Sequence, residues 1–192
     1  MKKIPTVFKR VFDGHKIIDI LPEYTNEECK NAFVHGIATL KVDGSCCAVM
    51  GGMLYKRYDY KIGKKLPDNA IPCQEKPDET TGHFPHWVPC IRDNPGDKWF
   101  FDAYDFYWKN HRVIDGTYEA VGPHFNGNNE ELARDTLYKH GSIILDIGIR
   151  NFESCRAFLE LHKIEGVVFW LDGQPICKIK RSDFGFEWGR RK

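Results

Sequence analysis

Gly166-Val167-Val168-Phe169-Trp170-Leu171-Asp172-Gly173-Gln174-Pro175-Ile176-Cys177-Lys178-Ile179-Lys180 is a β-hairpin legible from residue types alone. Residues 166–171 and 175–180 are rich in β-branched and aromatic side chains. Between them, Asp172-Gly173 supplies two residues that tolerate the positive φ of a tight turn. The same pattern recurs outward, at 46–50 and 53–58 around Gly51-Gly52, with a further strand at 37–42. Residues 26–35 read as a helix that Thr25 or Asn26 can cap and Gly36 can end. Asn151 caps another helix, in which Phe152, Cys155, Phe158, Leu159 and His162 keep helical spacing. A third helix is predicted over 128–140, with Asn128 as cap, Glu130 and Glu131 in the first turn, and Lys139 and His140 in the last. The aromatic-rich residues 99–107 read as a strand with 113–121 as its partner, and 142–147 as a short strand. Residues 61–96 contain six of the ten prolines and lose periodicity, so they read as a long irregular loop of a functional or mobile kind. Antiparallel hairpins with a few helices predict a single α+β domain and not a doubly wound sheet.

The bulk properties narrow the function classes. A chain of 192 residues, 42% apolar and 29% charged, can bury a substantial core and is not of disordered composition. Its longest apolar runs are short strands, far below the roughly 20 residues that span a bilayer. No apolar segment follows Met1-Lys2-Lys3-Ile4-Pro5, so no signal peptide is expected. Seven cysteines in irregular positions argue against a disulfide framework and for a reducing compartment. The expectation is a soluble, intracellular, cytoplasmic protein. The net charge of +1 demands no polyanionic partner. Positive charge is nonetheless concentrated late in the chain, in Lys178, Lys180, Arg181, Arg190, Arg191 and Lys192 against Asp183 and Glu187. A local basic patch of this kind can serve a phosphate backbone even in a nearly neutral chain.

Four short strings stand on or beside predicted strands: Lys41-Val42-Asp43-Gly44, Tyr118-Glu119-Ala120-Val121-Gly122, Glu165-Gly166-Val167-Val168 and Lys178-Ile179-Lys180. Each is weak alone. A Lys-x-Asp-Gly string arises by chance in roughly one chain in twenty-five of this length. All four in this order are far rarer.

In that order the strings resemble the conserved blocks of the covalent nucleotidyltransferase superfamily of ATP-dependent ligases and mRNA capping enzymes. Within it the chain looks most like the small 5′–3′ RNA ligases of viruses and animals. That likeness rests on Lys41-Val42-Asp43-Gly44-Ser45-Cys46-Cys47, on Ile164 to Trp170, and on Lys178-Ile179-Lys180-Arg181-Ser182-Asp183-Phe184-Gly185. The resemblance implies an ATP-grasp-like adenylation domain of mainly antiparallel sheets with flanking helices. It also implies three steps. Lys41 takes AMP from ATP, AMP passes to an RNA 5′-phosphate, and an RNA 3′-hydroxyl displaces it. Cys46 stands where DNA ligases and capping enzymes generally carry arginine. Only twelve residues follow Lys180, where those enzymes continue into an OB-fold, so no OB-fold is expected here.

The resemblance assigns roles residue by residue. Lys41 is the nucleophile, and Lys178 and Lys180 neighbour it. A lysine amine of ordinary pKa near 10.4 is neutral in fewer than about one molecule per thousand at pH 7. Adjacent positive charge favours the neutral form and binds phosphate as well. Glu165 is expected near a Mg²⁺ (or Mn²⁺) ion and Lys41, and Glu119 near the ribose with a share in metal binding. Asp43, Gly44 and Arg57 complete the nucleotide contacts. Val168 forms one apolar wall for adenine, and Phe101, Tyr104, Phe106 and Phe152 are candidates for the ring opposite.

Two other readings stay open. The chain is a GTP-dependent capping guanylyltransferase, or it is a non-catalytic RNA-binding domain of the same architecture. Residue by residue there are bland readings as well, since lysines alternating on a strand describe any solvated sheet face. Separately, Cys73, His83, His86 and Cys90 are of zinc-ligand type, although their spacing matches no strong zinc signature. The alternative is a loop rich in such residues, or one that meets RNA through His86 and Trp87.

Overall fold

The computed structural model describes residues 1–14, 16–61, 63–78 and 82–189. Arg190, Arg191 and Lys192 of the basic stretch lie outside them. The described residues form eleven strands and three α-helices: β1 (Phe8–Asp13), β2 (Lys16–Tyr24), α1 (Glu27–His35), β3 (Ile37–Lys41), β4 (Ser45–Met50), β5 (Met53–Lys61), β6 (Ile71–Pro72), β7 (His83–Pro89), α2 (Lys98–Asn110), β8 (Gly116–Val121), β9 (Thr136–Lys139), α3 (Phe152–Leu161), β10 (Gly166–Leu171) and β11 (Gln174–Lys180). Every strand pairing between them is antiparallel, and the class is α+β. Among the described residues no helix is long and apolar enough to cross a membrane.

The chain divides into two compact units. The first holds Met1–Lys3 and Asp43–His140; the second holds Ile4–Val42 and the described residues from Gly141 onward. The second is built on the three-stranded sheet β11-β10-β3, with the β1–β2 hairpin as a separate two-stranded sheet. Asp172 (φ 49°) and Gly173 (φ 73°) make the turn between β10 and β11. Their register slips once, between Phe169 and Trp170, so that Pro175 sits opposite Trp170 at a bulge where its missing N–H is tolerated. Ala38, Val167, Phe169, Cys177 and Ile179 turn to one side. They pack with Phe8, Cys29, Phe33 and Leu159 into the unit's core. Phe33 meets Phe169 edge-on at 5.0 Å between ring centroids, a favoured aromatic geometry. Asn26 caps α1 and Asn151 caps α3, each accepting the N–H three residues on, at 2.7 and 2.8 Å.

The first unit is a six-stranded sheet in the order β6-β7-β5-β4-β8-β9, with α2 against one face. Cys47, Val49, Leu54, Tyr118, Ala120 and Leu137 point to that face and pack with Ala103, Phe100, Tyr104 and Tyr107. Residues 99–107 are therefore helical and not a strand. Phe100, Ala103, Tyr104 and Tyr107 follow helical spacing, and Pro95–Asp97 forms a 3₁₀ turn leading into the helix. Aromatic content had suggested a strand, but it is the spacing that decides. The partners of β8 are β4 and β9.

Residues 128–140 do not form a helix. Asn126, Asn128 and Glu131 adopt positive φ (42°, 56° and 54°), and the chain then enters β9. Asparagine and acidic residues serve turns by the same side-chain hydrogen bonds that cap helices, so the two look alike in sequence. Residues 142–147 meet the second unit's sheet through one isolated bridge, Thr39 to Ile144. The stretch 61–96 contains β7, which pairs with β5 from Tyr55–Pro89 to Lys61–His83 and buries His86 and Trp87. These two residues are thus core and not an RNA-facing pair.

Candidate functional site

In the second unit, cross-strand register decides which side chains share a face. Lys41, Gly166 and Lys180 stand opposite one another in one row, and Thr39, Val168 and Lys178 in the next on the same side. The sheet is thus apolar toward its core and cationic on its other face. Gly166 makes the close spacing feasible, because a Cβ there would run into the backbone of Ile179 and Lys180. Glu165, at the entrance to β10, reaches both outer lysines. Its Oε2 accepts from Lys41 Nζ at 2.5 Å and its Oε1 pairs with Lys180 Nζ at 2.9 Å. The carboxylate is only 5% exposed.

Lys178 differs from both. Its ammonium has no hydrogen-bond or ion-pair partner among the described residues. Burial, reinforced by the positive charges of Lys41, Lys180 and Arg10, pushes its pKa down to about 8. Arg10 and Asp183 were not singled out in the sequence. Arg10 donates to Asp183 at 2.5 Å, and the same carboxylate accepts the Lys180 N–H at 2.8 Å, which fixes the end of β11. Arg10 comes from β1, 173 residues away, and no local pattern marks it.

Asp43 and Gly44 belong to the first unit. The Asp43 carboxylate accepts from Asn126 at 3.0 Å and from Asn129 at 2.7 Å, while its own N–H donates to Glu130 at 2.9 Å. A Cβ on Gly44 would strike the carbonyl of Ala120 and the side chain of Val121. Both residues therefore lock the start of β4 onto β8 and the loop after it.

Cys46 and Glu119 face each other across β4 and β8, and Arg57 lies on the same face of β5 as Tyr55, away from α2. Glu119 Oε2 bonds His140 Nε2 at 2.9 Å. Burial and the Glu119 charge push the Cys46 thiol up to about 12. Arg57 pairs with Asp59 at 3.0 Å.

The four candidate adenine partners are all half-buried. Phe152 packs edge-on against Phe8 and Phe184, Phe101 and Tyr104 pack onto the α2 side of the first unit, and Phe106 lies under Arg134. Cys73, His83, His86 and Cys90 are not brought together. Cys73 packs on the Trp87 side of the sheet and Cys90 on the α2 side, and His83 and His86 are three residues apart on a strand, hence on opposite faces.

For a hard divalent cation the donors are carboxylate oxygens, of which Mg²⁺ takes one or two from protein. Glu165 offers only oxygens, the donor type required, and both are engaged by Lys41 and Lys180; Glu119 stands beside a thiol and an imidazole. No family model matches this chain, and no curated protein matches it.

Proposed function

We propose that the chain is an ATP-dependent RNA ligase that forms a covalent lysyl-AMP intermediate on Lys41. The observation that carries this reading is the cationic face of the second unit's sheet, where Lys41, Lys178 and Lys180 surround the single buried carboxylate of Glu165. Three ammonium groups on one face provide for a polyphosphate. In the adenylylation step the Lys41 amine attacks the α-phosphorus of ATP, the nitrogen–phosphorus bond forms, and the bond to the pyrophosphate oxygen breaks. Glu165 Oε2, 2.5 Å from Lys41 Nζ, holds the amine and receives its proton. Lys178 and Lys180 bind the phosphates and offset the charge that grows on the leaving pyrophosphate. Val168, on the same face, offers an apolar surface to the base. Glu165 is the residue that would hold Mg²⁺, which would supply further neutralisation of phosphate charge. The RNA 5′-phosphate then takes AMP from Lys41, and a 3′-hydroxyl displaces it to close the phosphodiester.

Intact-mass measurement after incubation with Mg²⁺ and either ATP or GTP tests this. One AMP should add to the full chain, and peptide mapping should place it on Lys41. Lys178 makes the mapping necessary, because its depressed pKa leaves more neutral amine at pH 7 than an ordinary lysine has. AMP on Lys178 would overturn the assignment of the nucleophile. Labelling by GTP alone would replace the ligase reading with guanylyl transfer, and labelling by neither nucleotide would leave an RNA-binding fold.

A further inference from the structure

In the first unit, the sheet face away from α2 carries a different set of donors beside the buried cluster of Ala48, Tyr55 and Trp87. Cys46 on β4, Glu119 on β8 and His140 just after β9 offer one sulfur, one oxygen and one nitrogen, all within 4.8 Å of one another. All three side chains are half-buried, and they come from neighbouring strands whose register is fixed by the ladder Cys46–Glu119 and Glu119–Tyr138. His140 Nδ1 is buried and has no hydrogen-bond partner among the described residues, so only its bond to Glu119 orients the ring.

We infer that Cys46, Glu119 and His140 form a three-ligand site for a zinc-class divalent cation, with the fourth position open. Sulfur and imidazole ligands select against Mg²⁺ and Ca²⁺, which demand oxygen, and favour Zn²⁺. Tetrahedral zinc, with bonds of about 2.0–2.3 Å, spaces its ligand atoms roughly 3.3–3.8 Å apart. Glu119 and His140 already lie closer than that, and the remaining adjustment is on the order of 1 Å of side-chain movement. Bound cation replaces the proton shared by Glu119 and His140 and takes the Cys46 sulfur as thiolate, releasing the thiol proton to solvent. Arg57, also on this face, is paired with Asp59, which tempers its repulsion of a cation. Three protein ligands and one open position are the pattern of a site that keeps water or a substrate atom on the metal. The inference rests on these donors alone and does not depend on adenylylation of Lys41.

Cobalt substitution tests it without any nucleotide. The full chain, freed of metal by a chelator, is titrated with Co²⁺. A thiolate-to-cobalt charge-transfer band should appear, saturate at one equivalent and disappear when Zn²⁺ is added. Cys46→Ser should remove the band, His140→Ala should weaken Co²⁺ binding at least about tenfold, and Cys73→Ser should leave both unchanged. A missing band, a band that survives Cys46→Ser, or one lost in Cys73→Ser overturns the site. Should Cys46→Ser not fold, alkylation of the wild type decides. Zn²⁺ must shield Cys46 from a thiol reagent, as mapped by peptide mass, and an equally reactive Cys46 with and without Zn²⁺ sinks the proposal.

Discussion

The two units use the same construction, an antiparallel sheet with one face packed on helices, and equip the other face with opposite chemistry. In the second unit that face has three lysines around one carboxylate. In the first it has a carboxylate between a thiol and an imidazole, with Arg57 nearby already paired to Asp59. The first set suits phosphate; the second suits a soft cation. The difference also divides the Lys41–Gly44 string. Lys41 faces the cationic cluster, whereas Asp43 and Gly44 fasten the following strand to its neighbours. A four-residue motif thus combines a chemical residue with two architectural ones.

The sharpest way to break the comparison is to exchange those roles. Lys41→Ala should abolish nucleotide labelling and leave the fold intact, whereas Asp43→Ala should retain labelling on Lys41 while lowering stability by about 0.5–1.5 kcal/mol, as expected when the exposed Asn126 and the half-buried Asn129 lose their acceptor. Intact mass and denaturant midpoints on the two variants check this, and equal loss of labelling with no change in stability would refute the division. Next in size, Glu165→Ala leaves Lys41 and Lys180 without their shared counter-charge. Removing one partner of such a buried pair costs about 3–5 kcal/mol, readable as a lower denaturant midpoint. In the first unit Glu119→Ala should cost less, because that carboxylate bonds one imidazole and not two ammonium groups.

Gly166→Ala and Gly44→Ala probe the close approaches in the two sheets. Each should destabilise by about 1–3 kcal/mol by forcing neighbouring strands apart, and Gly166→Ala alone should disturb the Lys41–Lys180 row. The last variant, Lys178→Met, is read through its pH dependence. The folded pKa of Lys178, about 8, lies below the ordinary 10.5. Holding it charged therefore opposes folding below pH 8, and that opposition fades as pH rises from 8 toward 10.5. The variant should be more stable than the wild type at pH 7, with the gap closing near pH 10.5. An unchanged gap across that window would show that Lys178 is not desolvated.

Features specified by neighbouring residues were legible in the sequence. Asp172-Gly173 and Gly51-Gly52 produce their hairpins, and Asn26 and Asn151 cap their helices, because turn and cap chemistry acts over two to four residues. Residues 128–140 read as a helix because asparagine serves helix caps and left-handed turns alike. Residues 99–107 were misread because aromatic richness was weighed above spacing. The hairpin β1–β2, with its two register shifts, lacks clean alternation and gave no signal. At the candidate site the four strings marked Lys41, Glu119, Glu165, Lys178 and Lys180. The pairing of Arg10 with Asp183 and the approach of His140 to Cys46 were invisible, since each depends on strand register between distant segments.

The bridge from Lys41 to Glu165 spans 124 residues of sequence, whereas Lys180 reaches Glu165 through a single hairpin. The two halves of the cationic face therefore form on different schedules. A hairpin closes in about 1–10 μs. At about 5–20 residues per second, the ribosome takes roughly 6–25 s to supply the partner of Lys41 after Lys41 itself has been made. The Asp43–His140 portion of the first unit is synthesised within that interval. During translation Lys41 is thus a strand-end lysine with no Glu165 to hold it, and the paired arrangement arises only once β10 is in place.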